Sequence, residues 1–368
     1  RLLCEHWPVF RGTPVRYWLD AELAEIFGID TTPSAQTADA IYDRIATALA
    51  DPAFRPRALF DRFGISVLAT TDDPCSDLAV HAALAHDPAW TGRVIPTFRP
   101  DAYLDPTNAG WVEAVARLGA AAGIETGDYA GYVQALEQRR QYFIAHGAVS
   151  ADHSHPDVRT DPLEPAEASR IYRAAFAGRA GIDEATALRR HLLWEMARMS
   201  CDDGLVMTLH PGVRRNHHTP TFERFGADVG ADIPIRVELT DALRPLLQRF
   251  GTSPGFHLVV FTVDETVWSR ELAPLAGFYP SVYAGVPWWF LDAPETRYSI
   301  SDAGTATIAG HATHAVALVP RDRSLPFARA TIWVDDDDAL IRQVQTTDAR
   351  GLSRRITPSG IRSRCGGL

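Results

Sequence analysis

Ala145-His146-Gly147-Ala148-Val149-Ser150-Ala151-Asp152-His153-Ser154-His155-Pro156 reads as a strand-like apolar run, Ala145–Val149, that ends in a dense polar string. The arrangement recurs. Ile65–Ala69 leads into Thr70-Thr71-Asp72-Asp73-Pro74, Arg93–Pro96 into Thr97-Phe98-Arg99-Pro100-Asp101, and Leu205–Leu209 into His210-Pro211-Gly212. A helical pattern follows each string. In a (β/α)8 TIM barrel the loops after the strands share one rim, so reactive residues far apart in sequence converge there.

Working outward, helical periodicity covers Ala35–Leu49, Asp77–Ala85, Gly110–Ala122, Asp128–His146, Pro165–Ala177, Asp183–Ser200, Arg236–Phe250 and Glu265–Gly277. Strand-like runs lie at Ile65–Ala69, Arg93–Thr97, Ala145–Ser150, Gly204–Leu209, Phe256–Val263 and Ser281–Val286. This alternation predicts a parallel sheet wrapped by helices, with too few strand–helix units for a complete ring of eight. After Pro294 the pattern changes. Arg297–Ser301, Thr305–Ala309, Ala315–Val319, Ala328–Val334, Leu340–Thr346 and Leu352–Ile356 are short runs separated by Gly and Asp turns, which predicts an antiparallel meander. The expected domains are therefore an α/β barrel part over 1–294 and a β segment over 295–368, joined without a Pro-, Gly- or Ser-rich linker.

Composition narrows the function classes. The 368 residues are 46% hydrophobic and 22% charged, ordinary for a soluble globular chain. The net charge of −10, with all 36 basic residues Arg and scattered, argues against a nucleic-acid surface. No apolar run reaches the roughly 18–20 residues of a membrane span, and the N-terminal Arg1–Trp7 lacks a signal-peptide core. The missing initiator Met suggests a partial or processed chain. Cys4, Cys75, Cys201 and Cys365 are too widely spaced for a disulfide framework or thiolate zinc site, so a reducing cytoplasm is the default. Asp335-Asp336-Asp337-Asp338 reads as a solvated turn between strands rather than a metal site.

The rim candidates follow from chemistry. Arg99, between a strand and Pro100 with Asp101 beside it, offers a planar fork suited to a carboxylate or vicinal hydroxyls; a lone Arg is otherwise a surface charge. Asp72 and Asp73 would orient rim groups or merely form a turn and helix cap. Asp152, His153 and His155 form the densest polar cluster, and alternate strand positions would let His153 and His155 grip one metal ion. His210 ends an apolar run where it would face the barrel mouth. Trp288 and Trp289 would stack on a sugar ring or serve packing.

These strings resemble the uronate (glucuronate) isomerase family of the amidohydrolase superfamily over residues 1 to about 294. The resemblance rests on Tyr17-Trp18-Leu19-Asp20 with Phe27-Gly28-Ile29, Thr70–Pro74, Pro96–Asp101, Ala151–Pro156, Leu209–Gly212 with Arg215-Asn216, and Trp288-Trp289-Phe290. It implies an amidohydrolase-type barrel, interconversion of D-glucuronate and D-fructuronate, and often of D-galacturonate and D-tagaturonate. It also implies a divalent metal, usually zinc, and Arg and His side chains holding a sugar acid. On this pattern Arg99, Asp152 and His210 are the expected catalytic residues, and Arg99, Arg215, Asn216 and Trp289 the substrate contacts. His210 lies near the family's metal and is the candidate metal ligand of this chain, the family's main ligands being absent from it. His217 and His218 stand where the family commonly has Asn.

The family's metal-binding His-x-His belongs to its first strand, expected upstream of Arg1, which argues against a metal on His153 and His155. Its eighth-strand Asp-x-Arg is replaced after Pro294 by Thr296-Arg297-Tyr298-Ser299-Ile300. Weak metal binding, or none, is therefore expected of this chain. From there Ile308–His311, Val316–Pro320, Ala330–Asp335 and Ala349–Leu352 resemble part of an outer-membrane lipoprotein carrier (LolA-like) β-domain. A catalytically inactive chimera whose β segment binds a ligand is the competing expectation. A sugar acid is the expected partner, and a homo-oligomer is left open.

Overall fold

The computed structural model describes residues 1–230, 232–284, 298–321, 328–337, 341–347, 351 and 353–356. Two compact units divide the chain, Arg1–Gly285 and Val286–Leu368. The join expected near Pro294 lies outside the described residues.

In the first unit six strands run in sequential order, every neighbouring pair parallel: β1 (Val67–Asp72), β2 (Arg93–Phe98), β3 (Ser150–His153), β4 (Val206–Leu209), β5 (Leu258–Val260) and β6 (Val282–Ala284). Among the described residues β1 and β6 do not pair with each other, so these six strands form an open sheet, in line with the six strand-like runs read from the sequence. Alternation sorts the side chains. Phe98 packs edge-on against Phe143 of the helix Tyr129–Ala145, ring centroids 5.2 Å apart, so this face of the sheet meets the helices. Thr97 Oγ1 lies 3.3 Å from Ser150 Oγ on the opposite face, which also carries Arg99, Asp152, Thr208 and His210 by the period of two.

The helices are set by their ends. Asp128 caps Tyr129–Ala145 by accepting the Gly131 N–H at 2.8 Å. Gly123, at φ 68°, closes Trp111–Ala122 while the Ile124 N–H returns to the Gly119 carbonyl at 3.0 Å. Between the helices and the sheet, Tyr103, Trp111, Tyr132, Phe143, Tyr172 and Leu188 are buried in one core. A charged stitch crosses it. The fully buried Arg140 donates through Nε and Nη2 to both oxygens of Asp203, at 2.6 and 2.9 Å, and through Nη2 to Ser200 Oγ at 3.0 Å. This ties Tyr129–Ala145 to the end of the helix Ile182–Asp203.

Three boundaries differ from the sequence reading, each for a local reason. Ala145 is the last residue of its helix, and Gly147 turns the chain at φ 92°, so β3 begins only at Ser150 and contains Asp152 and His153. In β1, Thr70–Asp72 belongs to the strand rather than to the loop beyond it. The helical pattern Arg236–Phe250 yields a helix only at Arg244–Phe250. Upstream of it, the Glu271 carboxylate accepts the Leu239 and Thr240 N–H groups at 2.6 and 3.0 Å, which diverts that backbone from helical pairing.

The second unit contains an antiparallel sheet in sequential order: β7 (Tyr298–Ile308), β8 (His311–Pro320), β9 (Arg329–Asp335), β10 (Ile341–Thr347) and β11 (Ser353–Ile356). The two-residue turn Ala309-Gly310 has φ 51° and 87°, the positive pair that suits a tight hairpin. The runs Arg297–Ser301 and Thr305–Ala309 merge into the single strand β7, because Asp302–Gly304 does not reverse the chain. Asp335 is not a solvated turn residue. It is buried and accepts Arg342 Nε at 2.7 Å, with His311 Nδ1 at 2.8 Å, while Asp336 and Asp337 are exposed and Asp338 lies outside the described residues. Among the described residues no helix is long and apolar enough to cross a membrane, and Cys4, Cys75 and Cys201 are free thiols.

Candidate active site

Arg99, Asp152 and His210 come together where β2, β3 and β4 end. Arg99 is the first residue past β2, and its N–H donates to the Asp72 carbonyl at 3.1 Å. Asp152 lies in register with Thr208 on β4. The His210 N–H donates to the His153 carbonyl at 2.8 Å, which extends the β3–β4 pairing to the rim. His210 Nε2 then stands 2.8 Å from Asp152 Oδ1, and Thr208 Oγ1 donates to the same oxygen. Flat against the other side of the imidazole is Phe261, centroids 4.4 Å apart and planes 6° apart.

Arg99 is held from two directions. Its Nε donates to Asp101 Oδ2 at 3.0 Å, and Nη1 faces Asp152 Oδ2 at 3.4 Å. Asp101 Oδ1 accepts the Ser154 N–H at 2.9 Å, so one carboxylate links the loops after β2 and β3. Among the described residues Nη2 makes no hydrogen bond, which leaves one face of the guanidinium for a ligand instead of a wholly free fork. Burial would raise the Asp152 carboxyl, but hydrogen bonds from His210 and Thr208, together with the charges of His210 and Arg99, outweigh it and bring it down to about 2. Asp152 is therefore an anion at neutral pH, shared between the Arg99 guanidinium and the His210 imidazole.

The other candidates fall elsewhere. Gly212, at φ 85°, turns the chain into a ribbon of Val213–Arg214 against Ile233–Pro234. On that ribbon Arg215 Nη1 pairs with Asp232 at 3.2 Å, and Asn216 donates its N–H to the same carboxylate at 2.9 Å. Neither touches the Asp152 group among the described residues. His218 Nδ1 bonds Thr221 Oγ1 at 2.7 Å beside a short helix. Trp288 and Trp289 lie outside the described residues. Asp72 accepts Thr70 Oγ1 at 2.7 Å on the helix-facing side, and Asp73 accepts the Cys75 N–H at 2.8 Å and Tyr103 Oη at 2.6 Å, so both resolve toward turn and packing roles.

His153 and His155 are not a rim pair. β3 ends at His153, whose ring is buried on the helix side with Nδ1 3.0 Å from the Thr208 carbonyl; His155 is buried beyond the strand end. Burial first, then the neighbouring His155, holds the His153 pKa down to about 3. Burial likewise holds His191 down to about 4, its Nδ1 accepting the Leu163 N–H at 3.1 Å. Between those values and the unfolded pKa near 6.5 the folded chain binds fewer protons than the unfolded one. Stability is therefore complete above about pH 6.5 and falls with acidification, by about 2 kcal/mol for each of these two imidazoles at pH 5. Urea titrations at pH 7.5 and pH 5 check this; equal stability at both would mean that the two rings are hydrated in solution.

A resident divalent metal needs several converging donors. Among the described residues no three His, Cys, Asp or Glu side chains converge. His210 stands with Asp152 alone, and its Nε2 is already directed at that carboxylate. The described residues by themselves do not fit the zinc that the resemblance implies. Two members of the group were not singled out from sequence. Thr208 is two residues before His210 on the same strand face, which was an available signal, whereas Phe261 lies inside the run Phe256–Val263, and only the end of β5 at Val260 places it one residue past its strand as His210 is past β4.

The glucuronate isomerase family model matches residues 2–300. The chain is 52% identical over 315 residues to the uronate isomerase of Cutibacterium acnes, covering 84% of this chain and 67% of that protein. It is 51% identical over 308 residues to that of Corynebacterium efficiens, covering 83% and 66%. Among solved structures, glucuronate isomerase from Caulobacter crescentus superposes with a TM-score of 0.73 at 45% identity, over 79% of this chain and 61% of that one. The chain thus spans about two thirds or less of the length of these relatives. With the matched residues running through β1 to β6 and the whole Arg99–Asp152–His210 group, the chain belongs to the glucuronate isomerase family.

Proposed function

We propose that this chain carries the reaction centre of a uronate isomerase, interconverting D-glucuronate and D-fructuronate, with D-galacturonate and D-tagaturonate as a second pair. The observation that supports it is the convergence of Arg99, Asp152 and His210 at the same ends of three adjacent parallel strands. Aldose–ketose isomerisation moves a proton from C2 to C1 through an enediol, which requires a proton carrier and donors for the oxygens that gain charge. His210 is the proton carrier in this reading, and Arg99 Nη2 a donor to substrate oxygen. Arg215, Asn216 and Trp289 remain proposed contacts for the sugar acid, and residues 1–294 the isomerase part. A cytoplasmic location suits such an enzyme.

A divalent metal belongs to the complete site by family resemblance, with His210 the described residue nearest that role. Because among the described residues no third donor joins His210 and Asp152, the chain is expected to bind zinc weakly and to turn over slowly. Calorimetric zinc titration checks the first point; tight stoichiometric binding would show that other residues complete the site. The function itself is tested by a coupled assay for fructuronate together with hexuronate binding. Slow isomerisation, or saturable glucuronate binding that Arg99→Ala removes, supports the reading, whereas neither would overturn it. For residues 295–368 the second reading is a binding module of the lipoprotein-carrier type, favoured by the sequential antiparallel sheet from β7 to β11.

A further inference from the structure

The Asp152 carboxylate is committed on both oxygens. Oδ1 receives Thr208 Oγ1–H and His210 Nε2, and Oδ2 faces Arg99 Nη1. Its side chain is only 12% exposed, compared with 41% for His210 and 34% for Arg99. A carboxylate that is largely covered and serves three protein donors is poorly placed to meet a substrate itself. The groups it holds are the ones that reach solvent.

We propose that Asp152 is a positioning residue that locks neutral His210 in the Nε2–H tautomer, so that Nδ1 is the bare nitrogen offered to substrate. The hydrogen-bond inventory leads there. An ionised carboxylate only accepts, so the imidazole nitrogen facing Oδ1 must carry the hydrogen, and a neutral ring has just one. Nδ1 is left with its lone pair, and among the described residues it makes no hydrogen bond. Stacking on Phe261 fixes the ring plane, and the backbone bond from His210 N–H to the His153 carbonyl fixes its height on the rim. Thr208 in turn fixes Asp152, since its hydroxyl occupies the second acceptor position of Oδ1.

Where this rests on the isomerase reading, the step balances without any outside reagent. The C2–H bond breaks and its electron pair forms the C1–C2 double bond of an enediolate whose charge rests on O1, the O2–H proton passes to O1, and the proton held on Nδ1 is returned to C1 as the C2 carbonyl forms. The imidazolium formed meanwhile is stabilised by the Asp152 anion at 2.8 Å.

The first arm of the test needs no substrate. Long-range proton–nitrogen spectra of the whole chain with labelled histidine, recorded at alkaline pH, should show the Nε2–H tautomer of His210 in the wild type and a mixture in Asp152→Ala. A wild-type Nδ1–H tautomer, or an unchanged Nε2–H form in a folded Asp152→Ala, would overturn the proposal whatever the protein's activity. If Asp152→Ala does not fold, Thr208→Val supplies the comparison, with loss of tautomer preference expected and an unchanged preference counting against the proposal. The second arm is kinetic: Asp152→Asn should lower kcat for glucuronate on the order of 100-fold with KM changed less than about threefold, and a fall confined to KM would make Asp152 a binding group instead. A wild type that neither isomerises nor binds glucuronate defeats the functional reading, and the spectra still decide the tautomer.

Discussion

His210→Ala and Arg99→Lys should each lower kcat/KM for uronate isomerisation by on the order of 100-fold or more, while shifting folding stability by about 1 kcal/mol or less. Both side chains are partly exposed at the rim, so their removal opens no cavity in the core. Alanine deletes the imidazole that faces Asp152. Lysine keeps the charge of Arg99 but cannot span Asp101 and Asp152 at once, because that bridge uses Nε and Nη1 of one rigid plane. Steady-state kinetics beside thermal melts check the pair, with the wild type as the reference for the low absolute rate expected of this chain. Turnover close to wild type in both variants would mean that these residues pack the rim and the chemistry lies elsewhere.

Arg140→Ala is expected to cost about 3–5 kcal/mol, the largest stability loss of any single change considered. The guanidinium is wholly buried, and its removal strands the Asp203 carboxylate, which is only 6% exposed, without its bidentate partner. Breaking such a pair is costly because the remaining charge has nowhere to go, whereas replacing both members with apolar groups is often close to neutral. Here the double replacement should recover only part of the loss, since Asp203 Oδ1 also accepts the Leu205 N–H at 3.0 Å just before β4. Urea denaturation of Arg140→Ala, Asp203→Leu and Arg140→Met/Asp203→Leu separates these effects. A single-variant loss below about 1 kcal/mol would show that water reaches the pair.

How much of this was legible depends on the kind of signal. The parallel sheet announced itself through apolar runs rich in branched residues at β2, β4 and β5. β3 was misread, because Ala145–Val149 is apolar for two reasons at once: its first residue finishes a helix and the rest lines a turn at Gly147. Periodicity cannot separate a helix end from a strand start of this length. Arg99, Asp152 and His210 were legible from their positions after strands. Arg215 was placed with them because it follows His210 closely, but Gly212 redirects the chain, and pairing with Asp232 depends on a residue 17 positions away that no local pattern announces. The buried Asp335 was hidden for the opposite reason. A run of four carboxylates reads as water-loving, and only the fold brings Arg342 and His311 to the first of them.

The pairing of β3 with β4 also bears on which length changes this chain can absorb. Asp152 meets Thr208, and His153 meets Leu209, so neighbouring residues of β3 serve opposite faces. Inserting or deleting one residue between Ser150 and Asp152 would present an imidazole to the rim and drive a carboxylate among the helices. The segment His217–Gly230, which holds the short helix Thr219–Phe225, by contrast lies beyond the register and could vary in length without moving either group. Natural variation among close homologues should therefore accumulate gaps in that segment and none within these two short strands.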